Sequence, residues 1–326
     1  MITPFFALSG SAPNQGKIQD VRQDLADGAG VRSTVSKFMR RLVLVFRVLT
    51  FVVLFLAVFS YLHPIGESFS VIQFPLAGFG LLLSAFRHNW VVRLPLLVVS
   101  ILALGQVGQA YRNLNIAGDV TVYQKNLLHL NDSTPRVLRD IKQVSPDVLT
   151  VQELTNKAQL EWQNALTGYA TLQFCPNKWG YGAAVISKWQ TISGSGFCQF
   201  NGRLAGIKVQ SASGPLWLVS LHLHWPWPYE QAWQVPEIVE TLKRLDGPIV
   251  VGGDFNNLPW SGAVNDISEA ARGRRAGGVE ATFVYSGIPL AIDNVIAPSG
   301  GVVETRPKFS SDHLGLVAKV GISPRP

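Results

Sequence analysis

The sequence predicts an α/β domain preceded by a bundle of about three transmembrane helices, and three observations carry that prediction. Apolar runs at 42–62, 71–86 and 91–107 follow one another with almost no charge. Beyond Asn113, short β-like runs alternate with helical segments. Polar residues gather at the ends of those β-like runs, where a sheet can hold side chains around one pocket.

The chain of 326 residues has room for roughly two units of about 150 residues each. Its hydrophobic fraction is 47% against only 15% charged residues, which implies that part of it is buried in lipid. The net charge of +7 is unevenly spread: residues 1–111 hold nine Lys/Arg and four Asp/Glu (+5), residues 112–326 nineteen and seventeen (+2). The basic excess therefore accompanies the apolar segments, which reads as membrane topology and argues against a dedicated DNA-binding face.

Residues 1–36, rich in Ser, Gly, Gln and Asp and without periodicity, read as a disordered cytoplasmic tail. Met1–Gly10 lacks the basic start of a cleaved signal peptide, so the tail is expected to stay on the protein. Residues 37–111 read as the membrane domain. Arg40 and Arg41 precede the first span, and Arg47 within it is close enough to one end to snorkel. The second and third runs contain Pro75 and Pro95, and the connections His63–Ser70 and Arg87–Trp90 suit hairpins. Lys37, Arg40, Arg41, Arg87 and Arg93 put the N-terminus and the second connection in the cytoplasm. Residues 112–326 then emerge on the opposite face of the cell (inner) membrane.

In that region the strand candidates are 120–123, 148–151, 183–186, 205–209, 216–221, 249–251, 294–296 and 316–320. Helices are expected at Pro135–Val144, capped by Ser133 or Thr134, and at Glu230–Leu245 with an irregularity at Pro236. Two cysteines, Cys175 and Cys198, have no neighbouring Cys or His at zinc-site spacing; a disulfide and two thiols both remain open.

The strand ends supply the chemistry. Asn126 follows the first strand, Gln152-Glu153 the second, His222 another, and Gly253-Asp254-Phe255-Asn256 another; Asp293 and Asp312-His313 border the last two. Hard divalent cations take oxygen ligands and keep waters, so Glu153 and Asp312 suffice as metal ligands beside a phosphate. Asp254 and Asn256, two apart on an extended segment, point the same way and can orient a water for attack on phosphorus. His313 paired with Asp293 can donate to phosphoryl oxygens as charge builds there, with His222 as a second histidine. Arg203 is a candidate phosphate clamp. The aromatic run from Trp225 to Tyr229, with Trp233, is either packing or a rim at the membrane interface.

In this order the motifs resemble the endonuclease/exonuclease/phosphatase superfamily, which has the deoxyribonuclease I-like fold, from about Val120 to Val320. The resemblance implies a four-layer α/β/β/α sandwich and hydrolysis of a phosphoester by water with Mg²⁺ (or Mn²⁺). It implies Glu153 as principal metal ligand, Asp312 as a second or water-mediated one, Asp254 and Asn256 as the orienting pair, and Asp293 with His313 supporting the phosphoryl group. The sequence departs from the repair nucleases of that superfamily in two places. Leu128 stands where they carry a metal-binding Asp, and Tyr181, the candidate for their substrate-binding tyrosine, is offset by one position.

The expectation is therefore a multi-pass membrane phosphoesterase with its catalytic domain outside. Its favoured substrate is an envelope lipid or polyprenyl (pyro)phosphate, and no dedicated protein partner is inferred. An extracellular nuclease acting on DNA or RNA and a non-catalytic scaffold are the alternatives.

Overall fold

The computed structural model describes residues 15–86, 89–112, 116–131 and 134–323, with side chains from Lys37 onward. The N-terminal helices are α1 (Gln15–Val58), α2 (Ile65–Phe69), α3 (Gln73–Ala85) and α4 (Trp90–Tyr111). Three stretches are long and apolar enough to cross a membrane: Lys37–Val58, Ile65–Ala85 and Trp90–Tyr111. They pack through Leu54, Ala77, Leu83, Leu96, Val99 and Ala103. At Gly80 the helices approach so closely that a Cβ would meet Ser100 Oγ at 2.3 Å, a small-residue contact of the kind that joins helices in lipid.

Three expectations change here. Part of the expected tail, 15–36, is already helix in α1; this stretch has no proline, and extending an existing helix is far easier than nucleating one. Residues 1–14, 87–88 and Ser133 lie outside the described residues. The expected 63–70 hairpin is largely helical, because a short 3₁₀ turn at Ser70–Ile72 joins α2 to α3 and Pro75 falls in the first turn of α3, where it is tolerated. Arg47 does not snorkel: it is buried and donates to Leu83 O (2.9 Å) and Phe86 O (2.6 Å), capping the end of the second span.

The α/β part runs β1 (Val120–Asn126), α5 (Thr134–Val144), β2 (Val148–Thr155), α6 (Asn156–Ala165), β3 (Thr171–Pro176), β4 (Tyr181–Ser187), β5 (Phe197–Gln199), β6 (Leu204–Ser211) and β7 (Gly214–His222). It continues with α7 (Gln231–Arg244), β8 (Ile249–Asp254), α8 (Gly262–Ala270), β9 (Arg274–Arg275), β10 (Phe283–Tyr285), β11 (Ile288–Leu290), β12 (Asp293–Ala297), β13 (Gly301–Arg306) and β14 (Gly315–Val320). All eight expected strands and both expected helices form, and α7 continues through Pro236.

Two six-stranded sheets result, ordered β13-β14-β1-β2-β4-β3 and β5-β6-β7-β8-β12-β9. Valines, alanines and leucines from both, such as Val122, Val148, Val185, Ile207, Leu218, Val250 and Val295, interdigitate between them. The outer face of the first sheet is covered by α5 and α6 through Ile141 and Trp162, and that of the second by α7 and α8 through Ile238 and Ile267. Cys175 of β3 and Cys198 of β5 form a disulfide that ties one sheet to the other.

The two-sheet part is seated on the N-terminal apolar helices by specific contacts. Glu67 of α2 accepts from Asn257 Nδ2 (3.1 Å) and from the backbone N of Ala263 (3.3 Å) at the start of α8. Ser68 Oγ donates to Trp227 O (2.5 Å), Trp260 Nε1 to Ser70 O (3.0 Å), and Arg275 to Ala110 O (2.6 Å).

Candidate active site

Strand periodicity builds the site. Side chains at alternate positions face the opposing sheet, and along each central strand they change from apolar to polar toward one end: Val120, Val122, Gln124, Asn126 on β1; Val148, Thr150, Gln152 on β2; Leu216, Leu218, Ser220, His222 on β7; Val250, Gly252, Asp254 on β8. Glycine is required at 252, since a Cβ there would lie 2.2 Å from Thr150 Oγ1 across the sandwich. Just beneath the site, Gln124 bonds Gln152 (2.8 Å), Thr150 (3.0 Å) and Asp293 (3.0 Å), and Gln152 also donates to Ser220 (3.0 Å). This satisfied network fixes the polar end of both sheets.

Asp254 is the centre. In register it pairs with His222 on β7 and with Asp293 on β12, so the three stand side by side. Its Oδ2 accepts from Asn126 Nδ2 (3.1 Å) and lies 3.6 Å from His222 Nε2 and 3.7 Å from His313 Nε2. Asn256 braces it, donating its backbone N to Asp254 Oδ1 (3.0 Å) while its amide donates to Leu223 O (2.8 Å). His313 Nδ1 is 2.8 Å from Asp293 Oδ2.

Glu153 reaches the site by breaking the alternation that would send it to the outer face. The β2–β4 register shifts between Val151 and Leu154, and Glu153 has φ +58, a bulge that re-aims the side chain. Its Oε1 lies 3.3 Å from Asn126 Nδ2, and its Oε2 receives the backbone N (3.0 Å) and ring Nδ1 (2.6 Å) of His129. The His129 ring is stacked on Tyr181, 4.2 Å between centroids. Tyr181 thus supports the Glu153 side of the pocket. Asp312 is half-exposed, 3.9 Å from His313 Nε2.

The electrostatics separate the two histidines. Burial alone would lower His313, but Asp293 and Asp254 overcome it and raise its pKa to about 9. Burial and the Arg203 charge push His222 down to about 3. Burial raises Asp254 to about 7, whereas at Asp293 burial is outweighed by His313 and the carboxyl falls below its usual range. At Glu153 burial is opposed by His222 and by His129, and the carboxyl ends below its usual range. Since His222 is neutral near pH 7, the hydrogen bonds from His129 are what hold Glu153 ionised. Arg203, lowered by burial, has Glu153, Tyr181 and Asp254 as its electrostatic neighbours, and among the described residues its guanidinium makes no hydrogen bond.

The structure thus gathers Asn126, Glu153, His222, Asp254, Asp293 and His313 directly, with Arg203, Tyr181 and Asp312 at the margin. Asn256 does not continue the extended segment beside Asp254 as expected, because β8 ends at Asp254 and Asn256, with φ +48, turns its amide to Leu223 O. Sequence reasoning missed Gln124, legible as two residues before Asn126 on the same face. It also missed His129, which sits on a loop with no periodicity, and Lys125. The buried Lys125 Nζ donates to Lys308 O (2.9 Å) and His313 O (2.6 Å) and so holds the 307–313 loop.

Among the described residues, one group of carboxylates and histidine converges closely enough to hold a cation. Asp254, Asp293 and His313 have ligand atoms within 4.8 Å of one another, but Asp293 and His313 already satisfy each other. Glu153 and Asp312, the ligands expected from the sequence, are hard oxygen donors of the kind a hydrated divalent ion takes; Glu153 lies beside Asn126, and Asp312 is half-exposed beside His313.

Two facing sheets with this pairing of carboxylates and histidines at one end define a hydrolase of the phosphoester-cleaving sandwich class. The chain belongs to the Endonuclease/Exonuclease/phosphatase family, whose sequence model matches residues 113–313. That family depends on divalent metal ions. The chain is similar to an endonuclease/exonuclease/phosphatase family protein from Leptotrichia buccalis C-1013-b at 15% identity and TM-score 0.51, covering 63% of this chain and 100% of that one. An endonuclease/exonuclease/phosphatase from Bacteroides vulgatus is similar at 17% identity and TM-score 0.51, covering 63% and 99%. TDP2 from D. rerio, complexed with single strand DNA product, is similar at 14% identity and TM-score 0.52, covering 61% and 97%. At these identities the likeness is one of fold. No curated protein matches the chain.

Proposed function

We propose that the protein is a membrane-anchored phosphoesterase that hydrolyses a lipid-linked phosphoester, such as a phospholipid or polyprenyl (pyro)phosphate, outside the cytoplasm. The observation that carries this reading is the seating of the Asp254–His313 site on the membrane helices through Glu67, Ser68, Ser70 and Ala110. A site held this close to the bilayer meets lipid-borne substrate at high effective concentration. The Cys175–Cys198 disulfide supports the outward orientation, because disulfides persist in oxidising compartments.

In this mechanism Asp254, braced by Asn126 and Asn256, orients the attacking water and accepts its proton. His313, held by Asp293, donates to the phosphoryl oxygens as negative charge builds. His222, beside Asp254, is assigned to stabilise the phosphate or protonate the leaving oxygen, and Arg203 to clamp the phosphate. Glu153 and Asp312 would hold Mg²⁺ or Mn²⁺. When bound, the ion supplies Lewis-acid polarisation of the phosphoryl group.

The test is the purified full-length protein with Mg²⁺ or Mn²⁺, assayed on phospholipid and polyprenyl pyrophosphate vesicles and on plasmid DNA. Turnover of a lipid with DNA left intact supports the reading. Rapid DNA cleavage with inert lipids would overturn it in favour of a surface nuclease.

A further inference from the structure

The β10–β11 hairpin takes no part in the chemistry above, yet its tip exposes large apolar side chains. No residue from Ala281 to Ile292 is charged, and Val284, Tyr285 and Ile288 are 51%, 59% and 55% exposed. The ribbon is well formed. Phe283 pairs with Leu290, Val284 with Pro289 and Tyr285 with Ile288, and Ser286 and Gly287 both have positive φ, 48° and 84°. That is the two-residue turn whose twist matches antiparallel strands.

A two-stranded ribbon is marginal alone in water, so its footing matters. Leu290 is buried in a cluster with Leu258, Ala291 and Ile292, and the half-buried Phe283, Trp225, Trp260 and Val71 pack against it. Val71 belongs to the apolar stretch Ile65–Ala85, near its start. At the other side, the Phe283 ring lies 4.7 Å from the His313 ring. The hairpin therefore stands between the point where the second span begins and the catalytic histidine.

We propose that the hairpin tip docks into the lipid surface. Val284, Tyr285 and Ile288 enter the interface of the leaflet that receives this end of the second span, and they hold the His313 side of the site against it. The occupant is a bilayer because the tip is continuous with the membrane helices through Val71. It also carries apolar side chains and a tyrosine, the composition that partitions to a lipid–water boundary, and no charge with which to select a protein partner. Resting on the lipid-linked substrate reading, the hairpin also marks the route by which substrate passes from leaflet to site.

The experiment uses full-length protein in phosphatidylethanolamine/phosphatidylglycerol vesicles, with a nitroxide at I288C or, at the opposite end of the sandwich, at S213C. The two native cysteines are disulfide-bonded and do not compete for label. The label at 288 is expected to relax faster with oxygen than with a water-soluble nickel chelate, and the label at 213 the reverse. Equal nickel access at both positions would overturn docking, as would shielding of 288 from both reagents, which would mean that protein covers it. In parallel, I288D should lower turnover of vesicle lipid at least tenfold and leave hydrolysis of bis(p-nitrophenyl) phosphate unchanged. Equal loss on both would reassign the hairpin to support of His313. If the wild type cleaves only DNA while the 288 label sits in lipid, the substrate reading fails and the docking surface stands.

Discussion

His313 and Asp293 form a buried couple: Nδ1 lies 2.8 Å from Oδ2, and each residue is 4% exposed. The couple also joins the loop before β14 to the start of β12, and so joins the two sheets at the site. With its pKa raised to about 9, His313 favours the folded state fully below about pH 6.5, and that contribution is lost as pH rises through about 9. The size is about 3 kcal/mol, from roughly 1.4 kcal/mol per unit. In denaturation followed by tryptophan fluorescence, with chelator present, the stability advantage of wild type over H313N should shrink by about that amount between pH 6 and pH 10. A pH-independent difference would mean that the pair does not carry a proton-linked charge.

Asp254→Asn tests the centre of the site. An asparagine keeps an oxygen to accept from the Asn256 backbone, and it removes a carboxylate that burial already disfavours, so the fold should survive with an unchanged or higher melting temperature. Hydrolysis should fall about 10³-fold, the usual scale for losing a positioned general base. Undiminished turnover on the substrate identified by the lipid and DNA panel would remove Asp254 from the chemistry.

Much of this was legible in the sequence because strands write themselves as alternation. Val120, Val122 and Asn126 share a face, and the apolar-to-polar change along β1, β7 and β8 marks which end of the sandwich bears the site. The strands that escaped, β3, β5, β9, β10, β11 and β13, are short or lie at sheet edges, where burial is partial and the pattern blurs. Glu153 was found from its motif, but its orientation was not, because a bulge reverses the face that alternation assigns. His129 was invisible for the complementary reason: a loop residue has no period, and its role exists only once Tyr181 is brought beneath it. The helical continuation into 15–36 was missed because composition weighed polar residues as tail, while extending a helix already formed in the apolar run that follows avoids the cost of nucleation.

His129 should tune metal affinity through Glu153. Two of its N–H groups fix Oε2, so His129→Ala leaves the backbone donor but frees the carboxylate to rotate. Outer-sphere partners of this kind are typically worth about 10- to 100-fold in affinity. Mn²⁺ titration followed by electron paramagnetic resonance should show a loss of about that size for H129A and no specific binding for E153A. Wild-type affinity in E153A would move the cation to the Asp254–Asp293–His313 group instead.

Glu67 should set the coupling between membrane helices and catalytic domain. Its Oε2 accepts both from the first turn of α8 and from Asn257, which neighbours the Asp254–Asn256 loop and also donates to Gln231 (2.6 Å). Glu67→Ala leaves a helix N-terminal N–H without its acceptor and takes one of two acceptors from the Asn257 amide, a loss of about 1–2 kcal/mol. Glu67→Gln retains an acceptor oxygen and should recover most of it. The contrast should appear as faster amide hydrogen exchange in the first turn of α8 in E67A than in E67Q. It should also appear as a lower rate on vesicle-borne substrate than on a soluble phosphoester, because loosening the seat tilts the site away from the bilayer before it disturbs Asp254. Identical exchange in wild type, E67A and E67Q would show that the apolar cluster around Val71 and Trp260 holds the two parts together without the carboxylate.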